Sequence, residues 1–184
     1  MKILQITNRK GGVGKTTIAC HAAWYFGESK RVLFVELDTQ RNASRTLQPH
    51  KSRVVASDLL NGSVEIPGLP GPGIKVISAD DGLKSVSIDP ARHMVQMRRN
   101  LEAAGANYEV CILDTAPSAD TLNIGPLLFA SHVLAPIELN VTVRAGSKTF
   151  LVPKAKSSDE AMKLVQDHLG KAVVRVGLTQ YPVG

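Results

Sequence analysis

Short, almost continuously apolar runs recur along the chain at Lys2 to Thr7, Arg31 to Glu36, Ile74 to Ser78, Val110 to Asp114, His132 to Pro136 and Lys148 to Val152. Runs of this length, rich in β-branched residues and lacking polar alternation, predict strands covered on both faces, as in a parallel sheet. Between them, Lys15 to Glu28, Val54 to Leu60, Asp89 to Ala104, Thr121 to Ala130 and Ser158 to Leu169 predict helices. The last of these starts with Ser157 three residues before Glu160, a capping-box spacing, and stops at Gly170. Strand alternating with helix predicts a doubly wound α/β fold, with a mostly parallel sheet, helices on both faces and right-handed crossovers. The stretch from Asn61 to Gly73 is too rich in Pro and Gly for either element and is expected to be a surface loop. No internal repeat is present.

Composition narrows the class. A chain of 184 residues, 43% of them hydrophobic, is expected to form one domain over residues 1–184 with a sizeable core. No apolar run approaches the roughly 18 residues that would span a bilayer. Met1 leads straight into KILQIT with no charged-then-apolar leader, so a cytoplasmic protein is expected. Cys20 and Cys111 both lie among apolar neighbours, which predicts buried thiols rather than a disulfide or a metal site, and the five histidines show no ligand spacing. The net charge of +6 is uneven: from Arg144 onward there are seven Lys/Arg against three Asp/Glu. An excess of this size fits a polyanion-binding face and fits an ordinary solvated surface equally.

The chemistry concentrates between the first strand and the first helix, in RKGGVGKTT, Arg9 to Thr17. Glycines there let backbone N–H groups turn inward without Cβ clashes, and the helix N-terminus adds partial positive charge. The expected outcome is a phosphate-binding loop formed by Gly11, Gly12, Val13, Gly14, Lys15, Thr16 and Thr17. Lys15 would reach the outer phosphates of ATP or ADP, and Thr16 would place its hydroxyl on Mg²⁺. Arg9 stands where the strict loop pattern has its first glycine, and an additional lysine, Lys10, follows it. With that second lysine the chain resembles the ParA/MinD family of deviant Walker A P-loop ATPases. The resemblance implies that Lys10 reaches across a homodimer interface to the nucleotide held by the partner subunit, while Lys15 serves its own.

Two further stretches carry the resemblance. FVELDTQRNAS, Phe34 to Ser44, is similar to the family motif in which an Asp after the second strand orients the attacking water, a position filled by Asp38. Glu36 replaces the family's usual first Asp, and Thr39 replaces its usual Pro, which is expected to loosen the loop carrying Asp38. CILDTAPS, Cys111 to Ser118, has the Walker B layout of an apolar strand running into Asp114. By the resemblance, Lys10, Lys15 and Asp38 are catalytic, and Thr16, Asp38 and Asp114 surround the metal. VLAPIELN, Val133 to Asn140, resembles the strand that follows.

The run DTQRNAS is more like the partition ATPases, the ParA or Soj-like branch, than like MinD proteins. The resemblance therefore implies a Mg-dependent ATPase of slow intrinsic turnover, nucleoid-associated, with an ATP-bound dimer that holds non-specific DNA. It further implies a ParB-type centromere-binding partner that stimulates hydrolysis. With strand one starting at the chain's beginning, no N-terminal helix-turn-helix extension is expected, and no membrane partner either. Lys148, Lys154, Lys156, Lys163, Lys171 and Arg175 are the candidate phosphate-neutralising residues, chosen on composition. The alternative is a MinD-like or cellulose-synthesis-associated positioning ATPase, which lipid binding in place of DNA binding would reveal. After Asn140 the likeness thins: only VTVRAGSK separates it from TFLVP, where the family has a full helix. Either that helix is lost or residues are missing from the sequence, and the C-terminal part is expected to be short.

Overall fold

The computed structural model describes residues 1–136 and 173–174. In chain order the elements are β1 (Lys2–Ile6), α1 (Lys15–Gly27), β2 (Arg31–Glu36), α2 (Asn42–Thr46), β3 (Lys51–Val55), α3 (Asp58–Asn61), β4 (Gly73–Ser78), α4 (Pro90–Ala104), β5 (Val110–Asp114), α5 (Thr121–Ile124), β6 (His132–Leu134) and β7 (Val173–Val174). The strands form one sheet in the order β3-β4-β2-β5-β1-β6-β7, with every pairing parallel. The expected α/β doubly wound fold is the one observed.

Alternation along each strand explains why both faces are covered. In β2, Val32 and Phe34 join Leu4, Ile6, Ile112 and the α1 residues Ala19, Ala22, Ala23 and Phe26 in one buried cluster. Leu33 and Val35 point the other way, into a second cluster with Leu59, Leu60, Ile77, Met97, Leu101 and Leu113. The alanines of α1 let that helix approach the sheet closely, and each fully buried large side chain such as Phe34 contributes about 1.5–3 kcal/mol. The two cysteines are free and buried, Cys20 on the first face and Cys111 on the second. Burial pushes the Cys20 thiol up to about 12 and raises Cys111 as well, so neither supplies a thiolate near neutral pH.

Two local expectations are corrected. The helix placed at Val54 to Leu60 is instead the end of edge strand β3 followed by the single turn of α3. Val54 and Val55 are β-branched and lose side-chain freedom in a helix, while pairing satisfies the strand, with Val55 opposite Ser78 and Ala56 N–H donating to the Ser78 carbonyl. The helix from Thr121 to Ala130 is one α turn that tightens into a 3-10 turn over Gly125–Leu128. Pro126 lacks the N–H that a longer helix needs, and Gly125 packs so tightly on Met94 that an added Cβ would lie 2.4 Å from its sulfur. The one-turn helix α2 carries no periodic pattern long enough to have been expected.

The Pro/Gly loop between α3 and β4 is a loop, as expected, and it is pinned from beneath. Asn100 of α4, 4% exposed, donates through Nδ2 to the carbonyls of Leu59 and Gly62, both at 2.8 Å, and accepts from Val64 N–H. Tyr108 Oη donates to the Pro67 carbonyl. The strand expected at Lys148 to Val152 and the helix expected at Ser158 to Leu169 lie outside the described residues. So do Lys148, Lys154, Lys156, Lys163, Lys171 and Arg175.

Candidate nucleotide site

All strands of a parallel sheet point the same way, so the loops that leave their C-terminal ends gather on one edge, where ligands bind in open α/β sheets. The loops after β1, β2 and β5 meet there around a cleft of about 380 Å³. Gly12, Gly14, Lys15, Thr16 and Thr17 form one wall, Asp38, Gln40 and Asn42 a second, and Pro117 a third.

The first wall is built by two glycines in the left-handed region, Gly12 at φ 74° and Gly14 at φ 85°. Nothing lies within 4 Å of a Cβ added at Gly12, so the backbone turn requires glycine there and crowding does not. Gly14 precedes the first turn of α1 without any side-chain cap, and that turn holds no acidic residue. Its N–H groups are therefore left for an anion. Lys15 is only 6% exposed, and its Nζ donates to the Lys10 carbonyl at 3.0 Å, folding the loop back on itself. Burial lowers the Lys15 pKa, while the carboxylates of Asp114 and Asp38 act to raise it. Val13 is buried in the core side of the loop, whereas Gly11 and Lys10 are exposed. Neither of the latter lines the cleft within this single chain.

Asp114 ends β5 and is completely buried, yet neither carboxylate oxygen holds a hydrogen bond of ordinary geometry. Burial pushes its pKa up to about 7; the Thr16 hydroxyl and the Lys15 amine oppose the rise, and the charges of Glu36 and Asp38 add to it. A buried carboxylate without partners is costly unless something else neutralises it. A hydroxyl and a carboxylate are hard oxygen donors of the kind Mg²⁺ takes in small number, with phosphates and waters completing its shell. The site residues therefore fit Mg²⁺ bound together with a phosphorylated ligand.

Asp38 is half-buried in the loop after β2. Its Oδ1 accepts from Gln40 N–H at 2.9 Å, and Arg41 N–H donates to its carbonyl at 3.0 Å, so a tight turn presents it to the cleft. That turn ends at Arg41, a non-glycine residue in the left-handed region at φ 58°, whose guanidinium pairs with Asp81 at 3.1 Å. Glu36, two residues earlier and fully buried, accepts from Ala43 N–H at 2.7 Å, Ser44 N–H at 3.2 Å and the Ser44 hydroxyl. Burial raises the Glu36 pKa and these bonds counter it. Glu36 thus anchors the start of α2, and with it the loop bearing Asp38, a task that its place beside the motif did not reveal. Gln40, Asn42 and Pro117 also line the cleft; all three lie within the quoted motifs, but their chemistry alone did not mark them.

A first strand that feeds a glycine loop and a helix at the C-terminal sheet edge is common to P-loop NTPases and dinucleotide-binding folds; Lys15 and Thr16 at the start of that helix are the P-loop arrangement. A family model described as "AAA domain" matches residues 1–164. Protein IncC of Escherichia coli is 34% identical over 158 residues, covering 82% of this chain and 44% of that protein. The sporulation initiation inhibitor protein Soj of Bacillus subtilis is 32% identical over 191 residues, covering 96% of this chain and 71% of that protein. A putative plasmid partition protein from Borrelia burgdorferi, solved bound to AMPPNP, has the same fold, with a TM-score of 0.68, 20% identity, and 100% of this chain and 77% of that one covered. The chain belongs to the ParA/MinD family of deviant Walker A ATPases, on its ParA branch. It spans about half the length of the IncC proteins it matches, 44% and 48%.

Proposed function

We propose that this chain is the nucleotide-driven part of a DNA-partition ATPase, converting ATP to ADP and phosphate in a Mg-dependent reaction. The observation that carries the reading is a buried lysine, Lys15, whose charge acts on a buried carboxylate, Asp114, that holds no hydrogen bond of ordinary geometry, beneath a glycine loop at the open edge of the sheet. Loop N–H groups from Gly12 to Thr17 would hold the phosphates, and Lys15 would leave the Lys10 carbonyl for the outer phosphate oxygens. Thr16 and Asp114 would hold Mg²⁺, Asp38 lying close by; bound Mg²⁺ neutralises charge that develops on the phosphoryl group. Asp38 orients the attacking water. Transition-state charge is spread over Lys15 and, in a dimer closed face to face, over Lys10 of the opposing subunit.

Because Lys10 is exposed and lines no wall of its own cleft, assembly of the full constellation awaits the second subunit, and intrinsic turnover is slow. The dimer binds non-specific DNA while ATP is intact, and a ParB-type centromere-binding protein stimulates hydrolysis and release. The likeness to Soj and IncC supports the partition assignment. The test is binding of the purified protein to non-specific duplex DNA with and without Mg·ATP at two salt concentrations. ATP-dependent binding that weakens with salt is expected. ATP turnover with no DNA binding under any condition would contradict the partition reading.

A further inference from the structure

The side chain of Asn123, buried near the cleft, has three hydrogen-bond partners, and no motif points to it. It sits in the single turn of α5, 2% exposed, behind the loop that joins β5 to that turn. Its Oδ1 accepts from the Thr7 hydroxyl and faces the Thr115 hydroxyl at 2.9 Å, while its Nδ2 donates to the Ser118 carbonyl. Its own carbonyl accepts from Gln5 Nε2 at 2.6 Å, and its N–H is capped by the Asp120 carboxylate. These partners sit at functional addresses. Thr7 leads out of β1 into the glycine loop, Thr115 adjoins Asp114, and Ser118 adjoins Pro117 of the cleft wall.

We propose that Asn123 is a positioning residue that ties the 115–120 loop to the root of the glycine loop and so sets the distance between Pro117, Asp114 and a bound nucleotide. This rests on the nucleotide reading given under Proposed function. Only an amide meets the requirement. Oδ1 must accept from hydroxyls while Nδ2 donates to a carbonyl, which neither a carboxylate nor an aliphatic side chain of the same size can do. The Thr115 hydroxyl lies 2.9 Å from both Asn123 Oδ1 and the Ile6 carbonyl, and it has one proton, so it serves one of them at a time. The hydroxyl therefore has two orientations, each bonded, at a buried position. A shift of the loop away from the cleft breaks the bond to Ser118, and an unmade buried bond is strongly disfavoured. Asn123 holds the loop in register through bonds at the ends of two neighbouring strands, β1 and β5, and to the Ser118 carbonyl of the loop itself.

The experiment uses the full chain and compares wild type, Asn123→Asp and Thr115→Val. For each, the affinity and stoichiometry of a fluorescent ATP analogue, phosphate release per nucleotide-binding site and melting temperature are measured. Asn123→Asp keeps the acceptor but loses the donor to Ser118; kcat per binding site is expected to fall about tenfold or more, the equivalent of about 1.4 kcal/mol in the barrier, with nucleotide affinity within about threefold. Thr115→Val keeps the shape and is expected to lower kcat about threefold, with the Thr115→Val/Asn123→Asp double variant no slower than Asn123→Asp alone, as for residues acting as a unit. A merely structural residue lowers melting temperature and the number of binding sites but leaves kcat per site unchanged, and that result overturns the proposal. If Asn123→Asp does not fold, an unchanged kcat in Thr115→Val overturns it equally. A wild-type protein that binds no ATP analogue instead removes the nucleotide reading itself, before Asn123 is reached.

Discussion

Glu36 and Asp114 sit opposite each other on neighbouring strands, β2 and β5, both fully buried, both at the C-terminal edge of the sheet, and both with pKa values raised by burial. Their surroundings are nevertheless opposed. Glu36 accepts three hydrogen bonds from the start of α2, whereas Asp114 has none of ordinary geometry. A buried carboxylate that the fold satisfies is part of the scaffold, and one that the fold leaves without ordinary hydrogen bonds calls for another neutralising group, which the proposed function supplies as Mg²⁺. The difference gives a structural task to Glu36, for which the sequence offered none, and separates it from Asp114, which the motif places at the metal.

Substitutions should divide along the same line. The largest effect is expected from Lys15→Ala, which removes the cation above Asp114: ATP binding should fall by about 100-fold or more, consistent with loss of a charge-assisted bond in a dry site, and isothermal titration checks it. Asp114→Asn should abolish Mg-dependent turnover while leaving the ligand-free protein as stable as wild type or more so, because it removes a buried charge that no hydrogen bond of ordinary geometry satisfies. Thermal melting alongside phosphate release would show both halves of that expectation. Asp38→Ala should bind ATP with near-normal affinity and lose turnover by about 100-fold, on the scale of a positioned general-base group, trapping the ATP-bound dimer in size-exclusion runs.

Glu36→Gln is the converse case. Its amide N–H₂ would confront the N–H and O–H donors of Ala43 and Ser44, and about 1–3 kcal/mol of stability should be lost, seen as a lower midpoint in urea. Its effect on turnover should follow only from a loosened Asp38 loop. The smallest change is expected from Arg41→Gly. Relief of the left-handed conformation gains about 1 kcal/mol, and loss of the exposed pair with Asp81 costs about 0–1 kcal/mol. Melting temperature should therefore move by no more than about 4 °C.

Legibility followed locality. The glycine loop was readable because its chemistry is packed into consecutive residues between an apolar run and a helix, and Asp38 and Asp114 because each closes such a run. The buried role of Glu36 depends on N–H groups seven and eight residues further on, in a one-turn helix with no periodic signature. Asn123 draws its partners from Thr7 and Gln5, more than a hundred residues away, and such a cluster exists only once β1 and β5 lie side by side. Edge strand β3 was misread because Val54 to Leu60 mixes β-branched and leucine positions, and only the pairing with β4 decides between the two periods.

The most direct test of the division between Glu36 and Asp114 is titration of a fluorescent ATP analogue into wild type, Asp114→Asn and Glu36→Gln, each with and without Mg²⁺. Wild type and folded Glu36→Gln should bind more tightly when Mg²⁺ is present, and Asp114→Asn should show no such gain. Equal enhancement by Mg²⁺ in all three proteins would contradict the assignment of the unpaired carboxylate to the metal and nucleotide.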